Sequence, residues 1–260
     1  MVAAAHGLAP EGSQWPQLPG AIELRQVNGN DLDALLAQDI AQRLTLAVKA
    51  RGHAVLCVSG GKSPIALFKA LRAQDLPWAQ LRITLADERC VPFTHPDSNA
   101  LLVQTHLLQG PAAQAQLISM VPNTQVALPK PDLIALQAGL ALQAAGRADV
   151  LVLGIGADGH TASLFPLAPN LAAALDLKTT ATCLAIEMAH PPANAPYPRI
   201  TQTLAQLLSA RHIVLPVSGA EKRATLQRAW AQASPKFPVS FVLHQTQTPV
   251  VVWLAADPAA

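Results

Sequence analysis

From residue 21 to residue 255, short apolar runs rich in β-branched residues alternate with longer Ala/Leu-rich stretches whose apolar positions recur every three or four residues. Strands buried on both faces read as continuous apolar runs, and the helices between them supply the cover. The alternation therefore predicts an α/β domain with a largely parallel sheet covered by helices on both faces. Residues 21–27 read as the first strand. Asn30 and Asp31 then cap a helix in which Leu32, Leu35, Leu36, Ile40, Leu44 and Val48 keep the helical spacing. AVLCV (54–58) is the next strand. A helix follows from Ser63-Pro64 to about residue 74, with proline where its missing N–H costs nothing. RITLA (82–86) is a third strand, and amphipathic helices are expected over 97–109 and 130–146, the second ending near Gly146. DVLVLGIG (149–156) is a further buried strand. Beyond it the pattern predicts strands near 181–187, 212–217, 239–244 and 249–255, and helices over 199–210 and 219–233. The Pro-rich segments 121–131 and 189–198 read as loops, and 111–131 has no distinct period. No repeat or low-complexity linker divides the chain. Residues 21–256 are expected to form a single domain behind a flexible tail of residues 1–20.

A chain of 260 residues that is 51% hydrophobic has enough apolar surface for a large core. Only 13% of its residues are charged, against roughly 25% in an average soluble domain, so charges clustered after a buried strand stand out. A formal charge of +2 without a Lys/Arg run argues against nucleic acid as a partner. Cys57, Cys90 and Cys183 are far apart and form no C-x-x-C pair, so neither a zinc nor a redox motif is expected, and a reducing compartment fits. The first 20 residues lack a basic region followed by a continuous apolar core. No apolar run approaches the roughly 20 residues needed to span a bilayer. A soluble, cytoplasmic protein without membrane contact is the expectation.

In an open parallel sheet, ligands bind beyond the carboxyl ends of the strands. After AVLCV comes Ser59-Gly60-Gly61-Lys62-Ser63-Pro64. Paired glycines there allow a tight turn, and the helix start behind them offers free N–H donors to an anion. The same pattern also suits a purely structural turn. After RITLA comes Asp87-Glu88-Arg89, then His95, Asp97, Ser98 and Asn99, of which Asp97 or Ser98 suits a helix cap. After DVLVLG comes Gly154-Ile155-Gly156-Ala157-Asp158-Gly159-His160-Thr161-Ala162-Ser163-Leu164-Phe165-Pro166. It contains G-x-G-x-x-G, but a dinucleotide site needs a long helix next, and Pro166 and Pro169 break it. What remains is an Asp-Gly-His in which a carboxylate can orient an imidazole for proton abstraction. Arg199, ahead of ITQTL, and Lys222, in SGAEK, supply point charges suited to a phosphate, or else are surface cations.

With these residues in place, the sequence resembles the 6-phosphogluconolactonases, relatives of the glucosamine-6-phosphate isomerase/deaminases. SGGKSP, ADERCVPFTHPDSNA, GIGADGHTASLFP, PYPRITQTL and SGAEK follow the family's order over residues 21–255. Two departures occur: Lys62-Ser63 stand where Ser or Arg and Thr are commoner, and Gln202 stands where leucine is. The resemblance implies a Rossmann-like fold and hydrolysis of a sugar-phosphate lactone, 6-phospho-D-glucono-1,5-lactone, in the oxidative pentose phosphate pathway, without organic cofactor or metal. It implies His160 as general base oriented by Asp158. Ser59, Gly60, Gly61, Lys62, Ser63, Asp87, Arg89, Gly156, Arg199 and Lys222 would then bind substrate. Arg89 would face either the phosphate or the lactone. A monomer or small homo-oligomer is expected.

Two other readings compete. An amino-sugar-phosphate deaminase/isomerase shares the Asp-Gly-His loop. The deaminases resemble one another in a glutamate just before the proline that ends it, where this chain has Phe165. A non-catalytic sugar-phosphate sensor would need a DNA-binding domain, and the 20 residues before the first strand contain no such pattern.

Overall fold

The computed structural model describes residues 15–123, 128–187 and 196–256. In chain order the elements are β1 (Ile22–Val27), α1 (Leu32–Arg51), β2 (Ala54–Val58), α2 (Ile65–Arg72), β3 (Leu81–Leu85), β4 (Asp87–Arg89), α3 (Asn99–His106), β5 (Gln116–Leu117) and α4 (Pro131–Ala145). They continue with β6 (Val150–Val152), α5 (Leu171–Leu175), β7 (Cys183–Ile186), β8 (Arg199–Gln202), α6 (Leu204–Leu207), β9 (Ile213–Val217), α7 (Ala220–Ala231), α8 (Ser240–Leu243) and β10 (Val250–Ala255). Seven parallel strands lie in the order β1-β10-β9-β6-β2-β3-β5, and β4-β8-β7 form a small antiparallel sheet.

Period-two alternation explains why β2, β6 and β10, inside the main sheet, are apolar throughout, while β1 and β5 at its edges keep polar residues. In β10, Val251, Trp253 and Ala255 enter the core beneath α1 to α4, while Val250, Val252 and Leu254 enter the core beneath α5 to α8. The expected α/β fold, mostly parallel and covered on both faces, is the one observed.

Several local expectations are corrected. Residues 199–210 are not one helix: Arg199–Gln202 form β8, paired on one side with β4 and on the other with β7. Strand partners on both sides satisfy its backbone. The helix starts only at Leu204, where the Thr203 hydroxyl accepts the Gln206 N–H at 3.3 Å. Residues 239–244 are not a strand but hold α8, because a short apolar run buries equally well as one helical turn. DVLVLGIG pairs only over Val150–Val152 before leaving the sheet. At α1, Asp31 takes the cap position without a side-chain bond. Gly146 does end α4, its N–H reaching Leu142 O at 3.1 Å, and Ser98 caps α3 through Leu101 N–H at 3.1 Å. Of the Pro-rich loops, residues 124–127 and 188–195 lie outside the described residues.

Residues 15–20, grouped by sequence with the tail, pack on the domain. Trp15 is buried with its ring edge-on to Trp230 at 5.1 Å, and Trp230 Nε1 donates to Pro16 O at 2.7 Å. Residues 1–14 lie outside the described residues. Among the described residues no helix is long and apolar enough to cross a membrane.

Candidate active site

From β2 the chain steps outward to β3 and β5, then returns through α4 to β6 on the other side of β2. The strand order reverses there, so the connections leaving β2 and β6 diverge and open a crevice at their carboxyl ends. The turn at 59–63 and the loop at 154–165 flank it. Ser59, buried, donates its N–H to Val152 O at 3.0 Å, which ties the turn to β6. A Cβ on Gly60 would lie 1.8 Å from Asn99 Oδ1, so only glycine lets the turn approach α3 this closely. Lys62 and Ser63 are exposed at the tip.

Lys222, in the first turn of α7, reaches across to the same turn, where Nζ donates to Ser63 Oγ at 2.8 Å. Its ammonium is pushed below the usual lysine range by burial, against the opposing pull of Glu221. Sequence positions 63 and 222 thus meet at one point of the crevice, as a divided anion seat requires.

The small sheet brings in the second pair of cations. Arg89 and Arg199 are register partners in β4 and β8, and Arg89 Nη1 donates to Asp97 O at 2.6 Å. Arg199 is buried. Its guanidinium is pushed below the ordinary arginine range first by that burial and then by the charge of Arg89, with Asp87, Glu88 and Asp97 opposing. Two neighbouring guanidiniums favour an anion between them. Asp87, also buried, accepts the Ser163 hydroxyl at Oδ2 over 2.5 Å. Glu88, the middle member of the charged triplet, serves the scaffold. Its carboxylate accepts N–H bonds from Asn99 at 2.8 Å, Ala100 at 2.7 Å and Arg89 at 2.6 Å, closing the start of α3. Burial still pushes its carboxyl above the usual range despite these bonds.

On the 154–165 loop, Asp158 Oδ1 accepts from His160 twice, from Nδ1 at 2.5 Å and from the backbone N–H at 3.1 Å. In the neutral ring a carboxylate partner favours the proton on Nδ1, which leaves the lone pair on Nε2, the tautomer a general base requires. Burial raises the Asp158 carboxyl, but the hydrogen bonds and charge of His160 outweigh it and hold the group below the ordinary carboxylate range. Gly156 lies against this pair: a Cβ there would be 2.1 Å from His160 Nδ1 and 2.6 Å from Asp158 Oδ1. The Phe165 ring lies 4.7 Å from the imidazole, centroid to centroid. The loop is braced from behind, where Thr225 Oγ1 donates to Ala157 O at 2.8 Å and Val239 N–H to Gly159 O at 3.0 Å. Gly159 has φ +86°, and a Cβ there would meet Phe237 at 2.7 Å.

Asp158 with His160, Ser63 with Lys222, and Arg89 with Arg199 are therefore brought together. Sequence reasoning gave no part to Ser163, Thr225 or Phe237, and named Asn99 only among the polar groups at the start of the next helix. Ser163 alone carried a signal, as a polar residue inside the most specific motif. Among the described residues no group of three His, Cys, Asp or Glu side chains is placed to hold a metal ion.

Comparison with known proteins follows the same outline. Residues 28–253 match the family model described as glucosamine-6-phosphate isomerases/6-phosphogluconolactonase. A 6-phosphogluconolactonase of Pseudomonas putida is 41% identical over 230 residues, covering 88% of this chain and 92% of that protein. One of Pseudomonas aeruginosa is 42% identical over 220 residues, covering 83% and 88%. Among solved structures, a 6-phosphogluconolactonase from Shewanella baltica superposes with a TM-score of 0.80 at 36% identity, covering 92% of this chain and 100% of that one.

Proposed function

Because the chain belongs to the glucosamine-6-phosphate isomerase/6-phosphogluconolactonase family, we propose that it hydrolyses 6-phosphoglucono-1,5-lactone to 6-phosphogluconate, with His160 as the general base. The observation that carries the mechanism is the 2.5 Å bond from His160 Nδ1 to Asp158, which leaves Nε2 as the basic nitrogen. Nε2 takes a proton from water as the water oxygen adds to C1. The tetrahedral centre then collapses, the bond from C1 to the ring oxygen breaks, and that oxygen takes up the proton held by the imidazolium, which restores the neutral base. Asp158 stabilises the imidazolium formed in the first step; such general-base help is typically worth about 10²–10⁴-fold.

The C6 phosphate sits at the 59–63 turn with Lys62, Ser63, Lys222 and Arg199. Asp87, Arg89 and Gly156 border the lactone side. The deaminase reading is disfavoured by Phe165, an apolar ring beside the imidazole where that chemistry needs an acid or base. A cytoplasmic step of the oxidative pentose phosphate pathway fits this reaction.

The test is hydrolysis of 6-phosphogluconolactone, measured above its spontaneous background, beside unphosphorylated gluconolactone. The phosphorylated lactone should be strongly preferred. Arg199→Ala and Lys222→Ala should mainly raise KM, since a phosphate held alike in ground and transition states contributes uniform binding. Equal turnover of both lactones by the native enzyme would refute the phosphate seat.

A further inference from the structure

Three residues after His160, the loop makes its firmest attachment to the rest of the molecule. Ser163 is 1% exposed and binds the small sheet through both side chain and backbone. Its hydroxyl donates to Asp87 Oδ2 on β4 at 2.5 Å, and its N–H donates to Thr201 Oγ1 on β8 at 3.2 Å. Thr201 directs its own proton to Gln202 O at 3.0 Å, so its oxygen is free to accept. Asp87 and Thr201 are register partners. Two residues along the same strands lies the next pair on that face, Arg89 opposite Arg199. One serine therefore fixes the loop that carries His160 against the sheet that carries the two guanidiniums.

The residue just before it shows that this placement is imposed. Ala162 has φ +47°, the one non-glycine among the described residues with positive φ. A side chain in that region costs free energy that the surrounding contacts must offset. Thr161 and Leu164 close the turn around it as an isolated bridge, with Leu164 N–H on Thr161 O at 3.0 Å. With Ser163 bonded on both sides, the turn keeps a conformation that an alanine-centred loop would otherwise leave.

We propose that Ser163 is a positioning residue for catalysis: its bonds to Asp87 and Thr201 set the distance and angle between the His160 imidazole and the guanidinium-bearing sheet. The proposal rests on the reading of His160 as base. Ser163 is buried and its hydroxyl and N–H are engaged by Asp87 and Thr201 respectively, so it acts through the loop. Displacement of a base by about an ångström is enough to lose roughly 10²-fold in rate, while the phosphate seat at Ser63 and Lys222 stays as it is.

The experiment compares wild type, Ser163→Ala, Thr201→Val and His160→Ala, each assayed with 6-phosphogluconolactone at least 10 °C below its own melting midpoint, with calorimetric binding of 6-phosphogluconate alongside. Ser163→Ala should lower kcat by roughly 10-fold or more with KM and product Kd within about 3-fold of wild type. Thr201→Val, which removes the acceptor of the Ser163 N–H, should change kcat in the same direction and serves in its place if Ser163→Ala does not fold. A folded Ser163→Ala enzyme with wild-type kcat overturns the proposal. So does a product affinity that falls in step with kcat, which would make Ser163 a general support of the site. If His160→Ala keeps its kcat, the reading of the base is what fails; if it loses kcat while Ser163→Ala does not, only the positioning role fails.

Discussion

His160 is held at two points by one carboxylate oxygen, and this arrangement predicts how single residues respond to change. His160→Ala should lower kcat by about 10²–10⁴ with little change in KM, because the base acts only in the transition state. Asp158→Asn should lower kcat while preserving the fold, since an amide fills the same space without stabilising an imidazolium. Kinetics beside a melting curve on the same preparation check both, and a well-folded His160→Ala enzyme with native kcat would end the general-base assignment. Asp158 also predicts a pH effect. Its folded carboxyl is held below the ordinary range, so its contribution to stability is present above the unfolded pKa and is lost as pH falls through the folded value. Acid melting curves of Asp158→Asn should be flatter than wild type in that window. Gly156→Ala should cost rate without a titrating change, because its Cβ would occupy space that the imidazole holds. Ser163 shows what spacing cannot reveal: the motif displayed the residue, but its partner lies 76 positions away on β4.

At the scale of elements, α3 depends on a buried carboxylate supplied by another strand. Glu88 accepts from the first N–H groups of α3 while Ser98 caps the helix locally. Glu88→Ala would leave several buried donors without an acceptor, each worth roughly 1–3 kcal/mol. The variant should therefore melt well below wild type, and an unchanged midpoint would show that water reaches those donors. The same region marks the limit of periodicity. Asp87-Glu88-Arg89 reads in sequence as a charged segment after a strand, and Arg199–Gln202 reads as the start of a helix; paired, they become the two strands that carry the arginines. Antiparallel pairing between segments this distant leaves no local signature. The long elements α1, α4 and α7 and the strands β2, β3, β9 and β10 were legible because their apolar spacing is set by burial on a known face.

Across the whole molecule, the domain includes residues ahead of β1. Trp15→Ala should destabilise the fold by roughly 3 kcal/mol or more, as removal of a buried tryptophan usually does, and denaturant unfolding measures it. Kinetic constants should change less than stability, because Trp15 packs on Trp230, toward the end of α7 opposite Lys222. Gln202, the departure from the family's leucine, is accommodated inside the molecule: its amide donates to Leu85 O at 2.7 Å and to Cys57 Sγ at 3.3 Å. The sequence by itself determined the layered α/β class, the strands of the parallel sheet other than the two-residue edge strand β5, and the Asp-Gly-His segment, since each depends on residue type and spacing within one stretch of chain. Only the tertiary structure decided that Lys222 meets Ser63, that Arg89 lies beside Arg199, and that Ser163 secures the His160 loop to Asp87. Those contacts join segments far apart along the chain, and their geometry is fixed by strand order and register, which no local pattern encodes.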